Sequence, residues 1–142
     1  MTATRLRGRN VSTRRGQHER SGTAAVEFAL CLPLLIAMVF GVVETSNAVY
    51  LQNALTSAAY EASSVVSIAG GTSTNATTRA NAVLTALGAN GATVTISPTV
   101  TSATTLGTEI TVTVSAPLSS NSLMFGFLGN RTLTARLVSQ RL

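Results

Sequence analysis

The side chains able to do chemistry are few. The sequence holds one His, His18, and one Cys, Cys31. It has no Asp and no Lys, and its acids are Glu19, Glu27, Glu44, Glu61 and Glu109. A metal centre draws on clustered His, Cys and carboxylates, and none can be assembled outside the apolar stretch that holds Cys31. A hydrolytic triad needs a His beside a nucleophile and an acid, and His18 lies in a basic tail. Paired-carboxylate chemistry would need two Glu brought together, and their spacing gives no sign of it. No Gly-rich phosphate loop is present. The expectation is a chain that is not an enzyme and carries neither metal nor cofactor. A single thiol allows no internal disulfide. A lipidation signal wants small residues directly before its Cys, but Leu30 precedes Cys31, so Cys31 reads as a small apolar packing residue. Asn75-Ala76-Thr77 and Asn130-Arg131-Thr132 match a glycosylation sequon, a pattern common by chance in a Thr-rich chain.

One acid stands out by its place. Glu27 sits in "RSGTAAVEFALCLPLL", Arg20 to Leu35, at the start of a membrane-like run. An ionised carboxylate near the bilayer midplane costs about 2.5–3.5 kcal/mol on insertion scales. The elements around Glu27 must explain it.

The chain has 142 residues, 45% hydrophobic and only 11% charged. A soluble domain carries about 25% charged residues, so the composition points to a membrane or an assembly. All ten basic residues are Arg, and six of them precede Gly22: Arg5, Arg7, Arg9, Arg14, Arg15 and Arg20. Only Glu19 opposes them, so the net charge of +5 belongs to this tail. A nucleic-acid surface would spread its Arg over folded elements with aromatics between them, and no nucleic-acid partner is expected.

From Phe28 to Val43 no residue is charged. With Thr23 to Glu27 the run reaches the roughly 20 residues that span a ~30 Å hydrocarbon core. Residues 23–43 are therefore read as a transmembrane helix, with the lipid bilayer as a partner. The Arg cluster before it, and the lack of Arg after it until Arg79, favour a cytoplasmic N-terminus. Pro33 lacks a backbone donor and predicts a kink or local loosening. Beyond the run, Ala48, Leu51, Leu55, Ala58, Ala62, Val65 and Ala69 keep a 3-4 spacing. That is one apolar stripe on a helix, so residues 44–69 are read as an amphipathic extension. Its Ala-rich seam suits either a partner helix or the chain's own C-terminal part. Gly70-Gly71 ends it.

Residues 70–142 read as a small extracytoplasmic domain. Residues 72–78 form a polar connector, and "TRANAVLTALGANG" (78–91) reads as a short helix closed by Gly88 and Gly91. Val94 and Ile96, then Ile110, Val112 and Val114, then Leu133, Ala135 and Leu137 alternate with polar residues. Period-two alternation predicts about three strands of an antiparallel sheet with one polar face. Pro98 makes the first strand short or an edge. The connection from Ala116 to Asn130 holds Phe125 and Phe127, which could touch a partner or the membrane surface. The fold class is α+β.

The opening stretch also resembles a known signal. A basic tail ends in Ser21-Gly22, then come Thr23-Ala24-Ala25-Val26-Glu27-Phe28 and an apolar helix. This is similar to the class III signal of type IV pilin-like proteins. "AAVEFAL" with Pro33, then "FGVVE" (Gly41, Glu44) and "QNALTSAAYEAS", is most similar to the TadE-like pseudopilins of tight-adherence (Flp) pilus systems. The resemblance covers Ser21 to about Ala69 and weakens beyond Gly70, where strand order and "LTARLVSQR" are alike. Thr23 stands where such proteins more often have Ala or Ser. The resemblance implies a prepilin peptidase that cuts between Gly22 and Thr23, leaving residues 1–22 as a removed leader. It implies that Glu27, fifth in the mature chain, serves assembly. It implies membrane-helix positions at Phe28, Pro33, Gly41 and Glu44. It further implies other pilin or pseudopilin subunits and the pilus assembly machinery as partners, in the inner membrane of a bacterium. Two alternatives stay open: a conventional signal peptide cut after Ala48, at Ser46-Asn47-Ala48, or an uncut single-pass anchor.

The physics of Glu27 fits that implication. Cutting after Gly22 makes a new amine on Thr23, largely positive at neutral pH. Four residue steps put it about 6 Å of helix rise from Glu27. A carboxylate near a helix N-terminus also meets a favourable dipole. A boundary role, with Glu27 simply at headgroup depth, is the plainer reading.

Overall fold

The computed structural model describes residues 15–122 and 131–142, with side chains from residue 22 onward. The Arg tail before residue 15, the Phe125 and Phe127 pair and Asn130 lie outside the described residues. The elements in order are α1 (Arg15–Ser67), α2 (Ser73–Ala86), β1 (Thr93–Ser97), β2 (Glu109–Pro117), a 3-10 turn (Leu118–Ser120) and β3 (Thr132–Gln140). The fold is α+β. The chain divides into two compact units between Val39 and Phe40.

In the first unit, α1 is apolar on every side. Val26, Phe28, Leu30, Leu34, Met38 and Val39 are all exposed. The helix continues through Pro33 without a break in its assignment. No residue from Gly22 to Val39 is buried. A helix apolar all round needs an apolar surrounding that the described residues of this unit do not supply.

The second unit begins at Phe40 and takes the remaining half of α1 into a core. Leu51, Leu55, Ala58, Ala59, Ala62 and Val66 of α1 pack with Ala76, Ala80 and Leu84 of α2, and with Ile110, Val112, Val114 and Ala116 of β2. The seam thus faces the chain's own sheet, and residues 44–67 of α1 share one unit with residues 70–142. Its course differs from the expected one. The seam gains Ala54, Ala59 and Val66, while Ala69 is exposed. A strict 3-4 spacing repeats every 3.5 residues, a straight helix every 3.6, so the buried stripe drifts by about 20° per heptad. By its last turns the stripe has moved on one residue, from Val65 to Val66.

The short helix also departs from expectation. It covers Ser73–Ala86, so the polar stretch read as a connector is its first half. Thr72 is the N-cap, its side chain accepting from the Asn75 amide at 3.2 Å. That cap, with Ala76 and Ala80 buried, outweighs the modest helix propensity of Ser, Thr and Asn. The strands fall where alternation placed them, in the antiparallel order β1-β2-β3. Val94 pairs with Val114, and Val114 with Ala135, on the core-facing side.

Candidate functional site

The expected processing site lies in the first unit. Gly22, Thr23 and Glu27 all lie in α1 and are exposed, with Glu27 one helical turn beyond Thr23. A Cβ built on Gly22 would meet nothing within 4 Å. The fold therefore does not require glycine there, although glycine inside a helix costs about 1 kcal/mol relative to alanine. Gly41 is the same: nothing lies within 4 Å of a Cβ there, and its carbonyl accepts from Thr45 Oγ1 at 2.8 Å. Phe28 is exposed on the same helix, as is Pro33.

Glu44 has a different setting. It is 2% exposed. Ser122 Oγ donates to its Oε1 at 2.7 Å, and Oε2 has no hydrogen-bond partner among the described residues. Three residues on, Asn47 Nδ2 donates to the Asn121 carbonyl at 2.5 Å. Asn121 in turn accepts from the Asn90 amide at 2.7 Å and donates to the Asn90 and Pro117 carbonyls. Glu44 and Asn47 thus clasp the start of the second unit's helix to the turn after β2. This clasp was not read from the sequence, yet Glu44 lies four residues before Ala48, in step with the seam. The apolar stripe extended backward would have found it.

Arg141 makes the corresponding tie at the far end of α1. It is 3% exposed, and its Nη1 donates to the Val66 carbonyl at 2.7 Å and the Gly71 carbonyl at 2.9 Å. A cation at a helix C-terminus meets unpaired carbonyls and the negative end of the dipole. The Leu142 amide bonds the Ser67 carbonyl at 2.8 Å. Between them, Gly71 admits no side chain, since its Cβ would stand 1.9 Å from the Val65 carbonyl oxygen. The signal for Arg141 was parity: continuing the inward series Leu133, Ala135, Leu137 brings Arg141 to the same side. Elsewhere Glu61 on α1 pairs with Arg79 on α2 at 3.0 Å, both at the surface.

Taken together these features define a class: a small α+β unit carried on one long apolar helix that fits a single-pass membrane anchor. The family model described as TadE-like protein matches residues 22–64, less than half of the chain. The match takes in Gly22, Thr23, Glu27, Phe28, Pro33, Gly41 and Glu44, while α2 and the sheet lie beyond it. That match is consistent with a TadE-like protein of tight-adherence pilus systems. No curated protein and no solved structure matches it.

Proposed function

We propose that the chain is a minor pilin or pseudopilin of a tight-adherence (Flp-type) pilus, cut by a prepilin peptidase between Gly22 and Thr23. The observation that carries this reading is an exposed Gly22-Thr23 bond with Glu27 one turn on, at the point where the TadE-like match begins. Glycine there answers to no contact among the described residues, which is the behaviour expected of a residue selected by an outside protein. Cutting turns Thr23 into a helix N-terminus. Its amine and the first free backbone N–H groups then gather positive charge near Glu27. The carboxylate serves as counter-charge to that amine, or to the amine of a neighbouring subunit.

The Arg tail stays in the cytoplasm, residues 23–43 span the inner membrane, and the second unit faces outward. The signal-peptide alternative is disfavoured by the clasp: removing residues up to Ala48 would discard Glu44 and Asn47, which hold Ser122 and Asn121. Intact mass and N-terminal sequencing of the native protein test the proposal. A mature chain starting at Thr23 is expected. A start at Val49 would establish the signal peptide, and an uncut chain in a host with active peptidase would establish the plain anchor.

A further inference from the structure

The link between α2 and β1 holds a dipeptide that occurs once in the chain, Asn90-Gly91. Both residues are exposed. Gly91 has φ 66°, the left-handed conformation that favours glycine. Asn121 grips Asn90 by its backbone: Oδ1 accepts from the Asn90 amide at 2.7 Å, and Nδ2 donates to the Asn90 carbonyl at 2.8 Å. One step beyond the β1–β2 ladder, the register sets Gly91 opposite Pro117. The Pro117 carbonyl accepts from Asn121 Nδ2 at 3.0 Å instead. Among the described residues the Gly91 amide donates to no acceptor. The Asn90 side chain is itself lightly held, since Nδ2 reaches the Gly88 carbonyl only at 3.3 Å, a long hydrogen bond.

We propose that Asn90-Gly91 is a self-modifying site, which converts to aspartate and isoaspartate in the folded chain without an enzyme. The Gly91 nitrogen loses its proton to solvent base and attacks Asn90 Cγ. A C–N bond forms, the Cγ–Nδ2 bond breaks, and ammonia leaves a five-membered cyclic imide behind. Water then adds to the imide. Opening at Cγ gives aspartate on an unchanged main chain. Opening at the Asn90 α-carbonyl gives isoaspartate, with the main chain now running through Cβ and Cγ. Solvent is the only co-reactant, and nothing is oxidised or reduced. Glycine suits the attacking position because no Cβ crowds its nitrogen, and here that nitrogen has no hydrogen bond to give up.

The other described asparagines lack this arrangement. Asn47, Asn53, Asn75 and Asn81 lie inside helices and each is followed by Ala. The amide after each belongs to the helix ladder, as the Ala76 amide does at 3.0 Å from the Thr72 carbonyl. The Asn121 side chain is fixed by three hydrogen bonds. The two products at position 90 differ in consequence. Aspartate keeps both backbone bonds to Asn121. Isoaspartate adds an atom to the main chain, and the carbonyl that Asn121 grips becomes a free carboxylate off the path to β1. Asn121 is also where Asn47 of α1 is tied, through its carbonyl at 2.5 Å. Isoaspartate therefore uncouples the entry of β1 from that tie. Either product adds one negative charge. Beyond Gly22 the four Arg and four Glu cancel, so that part of the chain goes from a net of 0 to −1.

This chemistry needs neither cleavage at Gly22 nor a pilus partner, so it stands apart from the proposed function. The test uses the purified full chain in detergent, held at mildly alkaline pH and sampled over time. Peptide mass analysis, with fragmentation that separates aspartate from isoaspartate, reads each asparagine. Asn90 should convert ahead of the other described asparagines, and faster as pH rises, because the attacking amide must first lose its proton. Isoelectric focusing should show a new band one charge more acidic. Asn90→Gln should remove that band, since its longer side chain closes a six-membered ring far more slowly. The same chain unfolded in guanidinium gives the reference rate, and the folded rate should lie close to it. Conversion confined to the unfolded chain, or Asn53 or Asn75 converting as fast as Asn90, would overturn the proposal. The isoaspartate form, separated by chromatography, should unfold at lower denaturant than the parent, while freshly made Asn90→Asp should match the parent. Equal midpoints for all three would overturn the uncoupling. An Asn90→Asp chain as weak as the isoaspartate form would overturn it too, by assigning the loss to charge.

Discussion

A carboxylate at position 27 is best understood through what Glu27→Gln would change. The variant keeps size and hydrogen bonding and removes the charge. Membrane insertion should not suffer, because a neutral side chain enters more easily, and cutting should go on, because Gly22 is untouched. Co-purification of the cut protein with other pilus subunits should fall, since losing one side of a well-buried charge pair costs about 3–5 kcal/mol and less near a wet headgroup layer. Equal recovery and equal surface piliation would leave Glu27 a boundary residue. Gly22→Leu should act differently and leave the leader attached, visible as the uncut mass. Glu44 belongs to a third kind. Ser122→Ala strips the hydrogen bond from its Oε1 while Oε2 has none among the described residues, so denaturant unfolding should show a loss of about 1–3 kcal/mol, the cost of a buried unsatisfied polar group. Glu27 stands out in the sequence by residue type and spacing. The environment of Glu44 was not, because its partner Ser122 is 78 residues away and nothing in either local pattern links them.

The elements were legible to the degree that local pattern decides them. All three strands follow from alternation of Val, Ile and Leu with Thr and Ser, since one face is buried and the other wet. The second helix was placed five residues late because its first half is Ser, Thr and Asn. Its start depends on a cap and on Ala76 and Ala80 meeting a core that propensity does not see. The junction of α1 and α2 was legible only as a stop. Gly70, at φ 82°, gives the left-handed turn, and Gly71 yields to the Val65 carbonyl. Gly71→Ala should therefore be the harsher of two alanine substitutions here. A cost at the upper end of the roughly 1–3 kcal/mol typical of overpacking is expected, because the obstacle is backbone. Arg141→Leu should cost about 1.5–3 kcal/mol for each charge-assisted bond lost, and Arg141→Lys should recover only part. Thermal unfolding of the full chain in detergent, ranked across these variants, checks both. An Arg141→Leu chain as stable as the parent would mean the helix end finds other donors.

At the scale of the whole molecule the question is which way the chain faces. Six Arg stand before the apolar run, and none follows until Arg79. Charge next to a membrane helix biases orientation through the basic residues near its ends, and the asymmetry here is complete over that distance. The exposed apolar stretch from Gly22 to Val39 belongs to a helix long and apolar enough to cross a membrane, and the second unit holds its own core. The expected arrangement is therefore a cytoplasmic tail and an outward second unit. Added protease should attack the region beyond Gly70 once the outer face is opened, while the Arg tail of uncut protein stays protected. The compact core predicts early cuts in exposed turns such as Thr101–Leu106, with slower loss of the strands. Moving the charge should move the result. Replacing Arg14, Arg15 and Arg20 with Gln, in a chain also carrying added Lys after Val43, should reverse the protection pattern in a measurable fraction of molecules. If the region beyond Gly70 becomes accessible in the parent only after the inner membrane is broken, the orientation is the opposite one. Thr23 could not then be the product of a cytoplasmic cut.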